Sequence, residues 1–132
     1  MIGKLSDDSG FTFIEMVMVV VVMGILLAIA VPVYQAQVLA SRESVLKHNL
    51  AIVRERLDQY KADRSKYPSS LQELVEAGYL REIPEDPMTG TSEWEEVHED
   101  FDPDDPDAEP GIFDVKSQSV ETGSDGRPYS EW

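Results

Sequence analysis

The sequence predicts an α+β fold: a long N-terminal α-helix, kinked near Pro32, packed against a small head with a short helix and a small antiparallel β-sheet. Three observations lead there. Met16 to Ser41 is a run of 26 residues without a charge. An amphipathic helical pattern then follows to about Arg64. Beyond it, proline, glycine and aspartate break the chain into short segments of a different period.

The apolar run sets the first element. Met16 to Val33 alone is 18 residues, close to the length needed to span a bilayer core, and the flanking residues extend it. Ala28-Ile29-Ala30 has the form of a small-residue cleavage site, but the core is too long for a removable signal. The first ten residues also mix Lys4 with Asp7 and Asp8. Pro32 lies inside the run, where it removes one helical hydrogen bond and bends the axis. Gly24, Ala28, Pro32, Ala36 and Ala40 recur at every fourth position, a spacing that lets apolar helices approach closely.

From Tyr34 onward Leu39, Leu46, Leu50, Val53, Leu57 and Tyr60 form one stripe among Arg42, Glu43, Lys47, Arg54, Glu55 and Arg56. If Phe11 to Asp63 is one helix, its length is about 80 Å at 1.5 Å per residue. Tyr67-Pro68 ends it. Ser70-Leu71-Gln72-Glu73 matches a capping box, so a short helix from about Ser70 to Ala77 follows and stops at Gly78. Glu93 to Val97 and Gly111 to Lys116 read as a strand pair, with Trp94, Val97, Phe113 and Val115 as apolar faces. Between them Glu99 to Pro110 is rich in like charge and proline and reads as an irregular loop. The head after Arg64 is under 70 residues, so it needs a wall from the helix to bury a core.

Charge is distributed as unevenly as hydropathy. The chain of 132 residues has formal net charge −15, and from Glu85 onward sixteen acids face only Lys116 and Arg127. Such acidity repels phosphates and excludes nucleic acid as a direct partner. The absence of cysteine excludes disulfides and thiolate chemistry. Phosphate loops, paired histidines and nucleophile motifs are missing, so the sequence is not that of an enzyme. His48 reads as a solvated side chain, and His98, beside Glu99 and Asp100, is not made a site by adjacency in sequence.

Gly10-Phe11-Thr12-Phe13-Ile14-Glu15, a short polar leader before it, the long apolar stretch after it and Pro32 together resemble the processing region of type IV pilins and type II secretion pseudopilins. The resemblance implies that residues 1–10 are a leader cut off by a prepilin peptidase. The cut falls between Gly10 and Phe11, and Phe11 becomes N-methylated. Residues 11–33 are then the membrane and filament-core half of the helix, 34–64 its amphipathic half and 65–132 the acidic head. Glu15 lies four residues after the new amine, one helical turn away. By resemblance it pairs with its own or a neighbour's amine, and with Pro32 it is an assembly residue. Phe13 in place of the more usual leucine, and Asp7 and Asp8 in the leader, depart from the pattern.

The order tyrosine-proline, short helix, Gly78-Tyr79-Leu80, then Pro84-Glu85-Asp86-Pro87 resembles the major pseudopilin branch. That branch implies a self-associating filament subunit. It starts as a single-pass protein of the bacterial inner membrane with a periplasmic head, working with an assembly platform and minor pseudopilins. A surface type IV pilus subunit and a non-polymerising, membrane-anchored acidic binding domain are the alternative readings. The branch also implies calcium in the loop near the C-terminal end, where Asp125 is the best-placed carboxylate. The corresponding stretch is about Gly123 to Gly126, and the tail from Arg127 to Trp132 is shorter than such a loop and lacks a second aspartate.

Overall fold

In the computed structural model, Gly10 and residues 12–132 are described. Residues 1–9, with Lys4, Asp7 and Asp8, and Phe11 lie outside the described residues. Helix α1 runs from Phe13 to Arg64, α2 from Leu71 to Glu76, β1 from Glu95 to His98 and β2 from Ile112 to Lys116; a 3-10 turn covers Tyr129–Glu131. The chain divides into two compact units, one through Val38 and the other Leu39–Trp132.

A capping box opens α1. Thr12 Oγ1 accepts from the Glu15 backbone N–H at 3.3 Å, and Glu15 Oε2 accepts from the Thr12 N–H at 3.1 Å. Two of the otherwise orphaned donors at the helix start are thereby satisfied. The helix continues through Pro32 without interruption and ends at Arg64. Ser65 then takes a left-handed backbone with φ 60, so the chain turns before Tyr67-Pro68 is reached.

In the Leu39–Trp132 unit, α1 buries Glu43, Leu46, Leu50, Val53, Leu57 and Tyr60. Their spacing alternates between three and four residues, the period of a single helix face. Leu39, expected in this stripe, is exposed, and Glu43 is its first buried member. Against the face pack Leu71 and Leu74 of α2, with Leu80, Trp94, Ile112, Val115 and Tyr129.

Helix α2 shows the expected cap in a modified form. Ser70 accepts from the Glu73 N–H, as a capping box requires. The Glu73 carboxylate instead reaches one residue further back, where Oε2 accepts from the Ser69 N–H and hydroxyl at 2.7 Å each. Its other oxygen accepts from Tyr60 Oη at 2.7 Å, tying α2 to α1. The Tyr60 hydroxyl first, then the Ser69 donors, hold the Glu73 carboxyl down to about 2. At the other end Gly78 has φ 85, and the Gly78 and Tyr79 N–H groups donate to Val75 and Leu74 carbonyls. That pair of bonds is the Schellman arrangement, which needs a residue tolerant of left-handed φ.

The loop after α2 is anchored by polar contacts. Asp86 is fully buried, accepting from the Ser117 hydroxyl and, at 2.9 Å, from the Met88 N–H. Asn49 donates to the Glu85 carbonyl and Trp94 Nε1 to the Pro84 carbonyl, each at 2.8 Å. A buried carboxylate is tolerable when its lone pairs are filled in this way.

Strands β1 and β2 are antiparallel, with Val97 opposite Asp114 and His98 opposite Ile112. Phe113 is thus the unpaired extra residue of a bulge. A bulge resets the alternation of faces. Ile112 and Val115, three apart, both point inward, and Phe113 is 43% exposed. The sequence pattern assigned Phe113 to the core; the bulge gives that place to Ile112.

Candidate functional site

The N-terminal unit presents a surface unlike that of a protein in water. Every residue from Thr12 to Gln37 is exposed. Among them are Phe13 and Ile14, the methionines and valines from Met16 to Met23, and Ile25, Leu26, Leu27 and Ile29. An apolar surface of this extent marks contact with lipid or with other protein. The helix is long and apolar enough to cross a membrane.

At its start, Gly10 is exposed, with φ 79, and no atom stands within 4 Å of where a Cβ would lie. Glu15 sits in the first turn, exposed, with its carboxylate engaged at the Thr12 N–H. A carboxylate in a first turn also complements the positive end of the helix dipole. The Thr-x-x-Glu signature of this cap is present in the sequence at Thr12 and Glu15. Phe11, the expected site of methylation, lies outside the described residues. Pro32 stands within α1 in the exposed segment.

In the head, Asp125 does not point to an open site. Its Oδ1 accepts from the Arg127 N–H and its Oδ2 from Arg127 Nε, both at 2.9 Å, with Arg127 Nη2 at 2.8 Å. The Arg127 backbone N–H and then its guanidinium hold this carboxyl below the usual range, against a smaller opposing effect of burial. Among the described residues no three acids or histidines are grouped as metal ligands. Calcium takes six to eight oxygens; the donors around Asp125 do not fit such an ion. His48 and His98 are exposed.

The buried carboxylate that sequence reasoning missed is Glu43, only 6% exposed. Its Oε1 accepts from the Ser124 N–H and from Tyr129 Oη, both at 2.8 Å, and its Oε2 accepts from the Ser124 hydroxyl. Burial pushes this carboxyl up, but the Ser124 and Tyr129 donors and the Lys47 charge together outweigh it and leave it lowered. Burial and the same carboxylate push the Tyr129 phenol up to about 12. The available signal was spacing, since Glu43 stands three residues before Leu46 on the buried stripe.

Comparison with known proteins bears on the N-terminal region and on about three fifths of the chain. Residues 5–31 match the prokaryotic N-terminal methylation motif. The chain is 35% identical over 97 residues to the type II secretion system core protein G of Pseudomonas aeruginosa, covering 61% of this chain and 68% of the relative. It is 34% identical over 101 residues to the same protein of Klebsiella michiganensis, covering 64% and 70%. With that of Vibrio cholerae it shares 30% identity over 99 residues, covering 64% and 68%. No solved structure matches the chain. The matched N-terminal motif, the apolar helix exposed along its length and the shared sequence beyond it place this chain in the family of type II secretion system core protein G, the major pseudopilins.

Proposed function

We propose that this pseudopilin polymerises through the N-terminal half of α1 into the periplasmic filament of a type II protein secretion system. The observation that carries the proposal is the run from Met16 to Gln37, uncharged and exposed on every side. Lipid satisfies that surface before assembly and neighbouring copies satisfy it afterwards. The role is structural, and no reaction is assigned to the chain.

In this reading residues 1–10 form the leader, and prepilin peptidase cuts between Gly10 and Phe11. Phe11 is then N-methylated and stays cationic. Residues 11–33 form the filament core, residues 34–64 the wall of the head, and residues 65–132 the head on the periplasmic side of the inner membrane. The assembly platform and minor pseudopilins are its partners. Glu15 receives the Phe11 amine of a neighbouring copy. Burying either charge alone among apolar helices is costly, so the pair fixes the axial register of each added subunit. In support, the Glu15 carboxylate sits in the first turn, where it accepts from the Thr12 N–H. Pro32 leaves one helix carbonyl without its N–H partner and with the small residues around it permits close packing.

Glu15→Leu tests this directly. Membrane insertion and leader removal should be unchanged, and filament yield in sheared and periplasmic fractions should fall about tenfold or more, as expected when one partner of a desolvated pair is removed. Filaments of normal yield from the variant would remove Glu15 from assembly. Long surface fibres in place of short periplasmic ones would point to a pilus.

A further inference from the structure

The resemblance implies a calcium ion near Asp125, yet residues 122–132 are already tied down by other means. Glu43 on α1 accepts three hydrogen bonds from this segment: two from Ser124 and one from Tyr129, which is 2% exposed. Lys47, one turn on, stands 4.9 Å over the Trp132 ring. Arg54 donates to Asp114 Oδ1 at 2.7 Å, to the Val115 carbonyl at 3.1 Å and to the Trp132 carbonyl at 2.8 Å. Three charged residues of one helix thus hold the segment along its length.

Several oxygens in this segment and just before it are committed to bonds within the chain. The Glu121, Gly123 and Arg127 carbonyls accept from the Tyr129, Gly126 and Gly123 N–H groups. Asp125, its one aspartate, holds Arg127 with both oxygens. Packing is equally close. A Cβ on Gly123 would lie 2.6 Å from the Trp132 ring and 3.0 Å from that of Tyr129.

We infer that residues 122–132 are fastened to α1 by the Glu43 carboxylate and closed on themselves by the Arg127–Asp125 pair, in the place where the family's fold implies a calcium ion. The Glu43 and Asp125 carboxylates each find their donor or positive partner within the chain. Calcium would have to displace Arg127 and break the carbonyl bonds to collect its six or more oxygens. Glu43, in turn, tolerates burial only while Ser124 and Tyr129 are seated on it, so the fastening closes as one unit.

The test is thermal unfolding of the full chain in detergent micelles, followed by near-ultraviolet circular dichroism of Tyr129 and Trp132. It is run in excess EDTA and in calcium at roughly millimolar levels, where weak extracellular sites fill. The expected result is the same Tm in both, a Tm lower by roughly 10 °C for Glu43→Gln in both, and a smaller fall for Ser124→Ala. If Glu43→Gln does not fold, Ser124→Ala supplies the comparison. A Tm raised by calcium in the native chain, with the rise lost in Asp125→Asn, would overturn the inference, as would Glu43→Gln and Ser124→Ala both melting like the native chain. A rise that survives Asp125→Asn assigns the ion to another part of the molecule and leaves the fastening as described.

Discussion

One helix serves two solvents, and its halves differ in what their side chains meet. From Met16 to Val33 the residues are uncharged on every side, and all are exposed. From Leu39 to Arg64 charged residues such as Arg42, Lys47, Glu55 and Asp58 are exposed, and one face is buried, with members such as Leu46, Val53, Leu57 and Tyr60 at 0% exposure. Helical propensity does not separate the halves, since both form regular helix. What separates them is where the free energy of burial is collected. The second half collects it within its own chain. Among the described residues the first half has no such partner, and it collects that free energy from lipid or from other copies.

The sharpest way to break that contrast is to truncate one leucine in each half. Leu57→Ala should cost about 2–5 kcal/mol, because it opens a cavity in a packed core. Leu26→Ala should change the unfolding free energy of the micelle-bound monomer by less than about 0.5 kcal/mol. Denaturant titration of both variants measures the difference; equal losses would mean that the first half also packs within the chain.

A smaller effect comes from acid. The folded Glu73 carboxyl lies at about 2 against an ordinary value of 4.5. Its stabilising contribution is therefore complete above pH 4.5 and is lost as the pH falls toward 2. The loss should be roughly 2 kcal/mol, allowing for partial exposure. Because other carboxylates titrate in the same range, the measurement is the difference between the native chain and Glu73→Gln. The variant should be less stable at neutral pH and converge on the native chain near pH 2. Parallel pH profiles would show that Glu73 does not anchor α2. The smallest effect is expected at Gly78→Ala, about 1 kcal/mol, from left-handed strain alone, since no atom lies within 4 Å of the new Cβ. A neutral result in the same titration would mean that the turn after α2 adjusts freely.

The parts legible in the sequence were those set by local chemistry. The uncharged run, the stripe from Leu46 to Tyr60, the Ser70 cap and the Gly78 stop each depend on residues a few positions apart, and the structure has all four. The misplaced parts depend on distant partners. Glu43 was counted with the charged face because its donors, Ser124 and Tyr129, are 81 and 86 residues away. Phe113 was assigned inward because strict alternation does not foresee the extra residue in β2. The buried place of Asp86 depends on Ser117, 31 residues on. At the N-terminal end the motif at Gly10 to Glu15 is readable from residue types, and Thr12 and Glu15 also carry the spacing of the capping box the structure shows.

The loop from Glu99 to Glu109 carries seven acids, and every one is exposed. Stacked along a fibre, such loops make a bristle of like charge, and each arriving copy works against the bristle already present. At physiological ionic strength that repulsion fades beyond about 8 Å. In the filament proposed above, growth would be a contest between apolar contact of the N-terminal helices and repulsion between these loops, one that added salt would tip toward elongation and desalting toward dissolution.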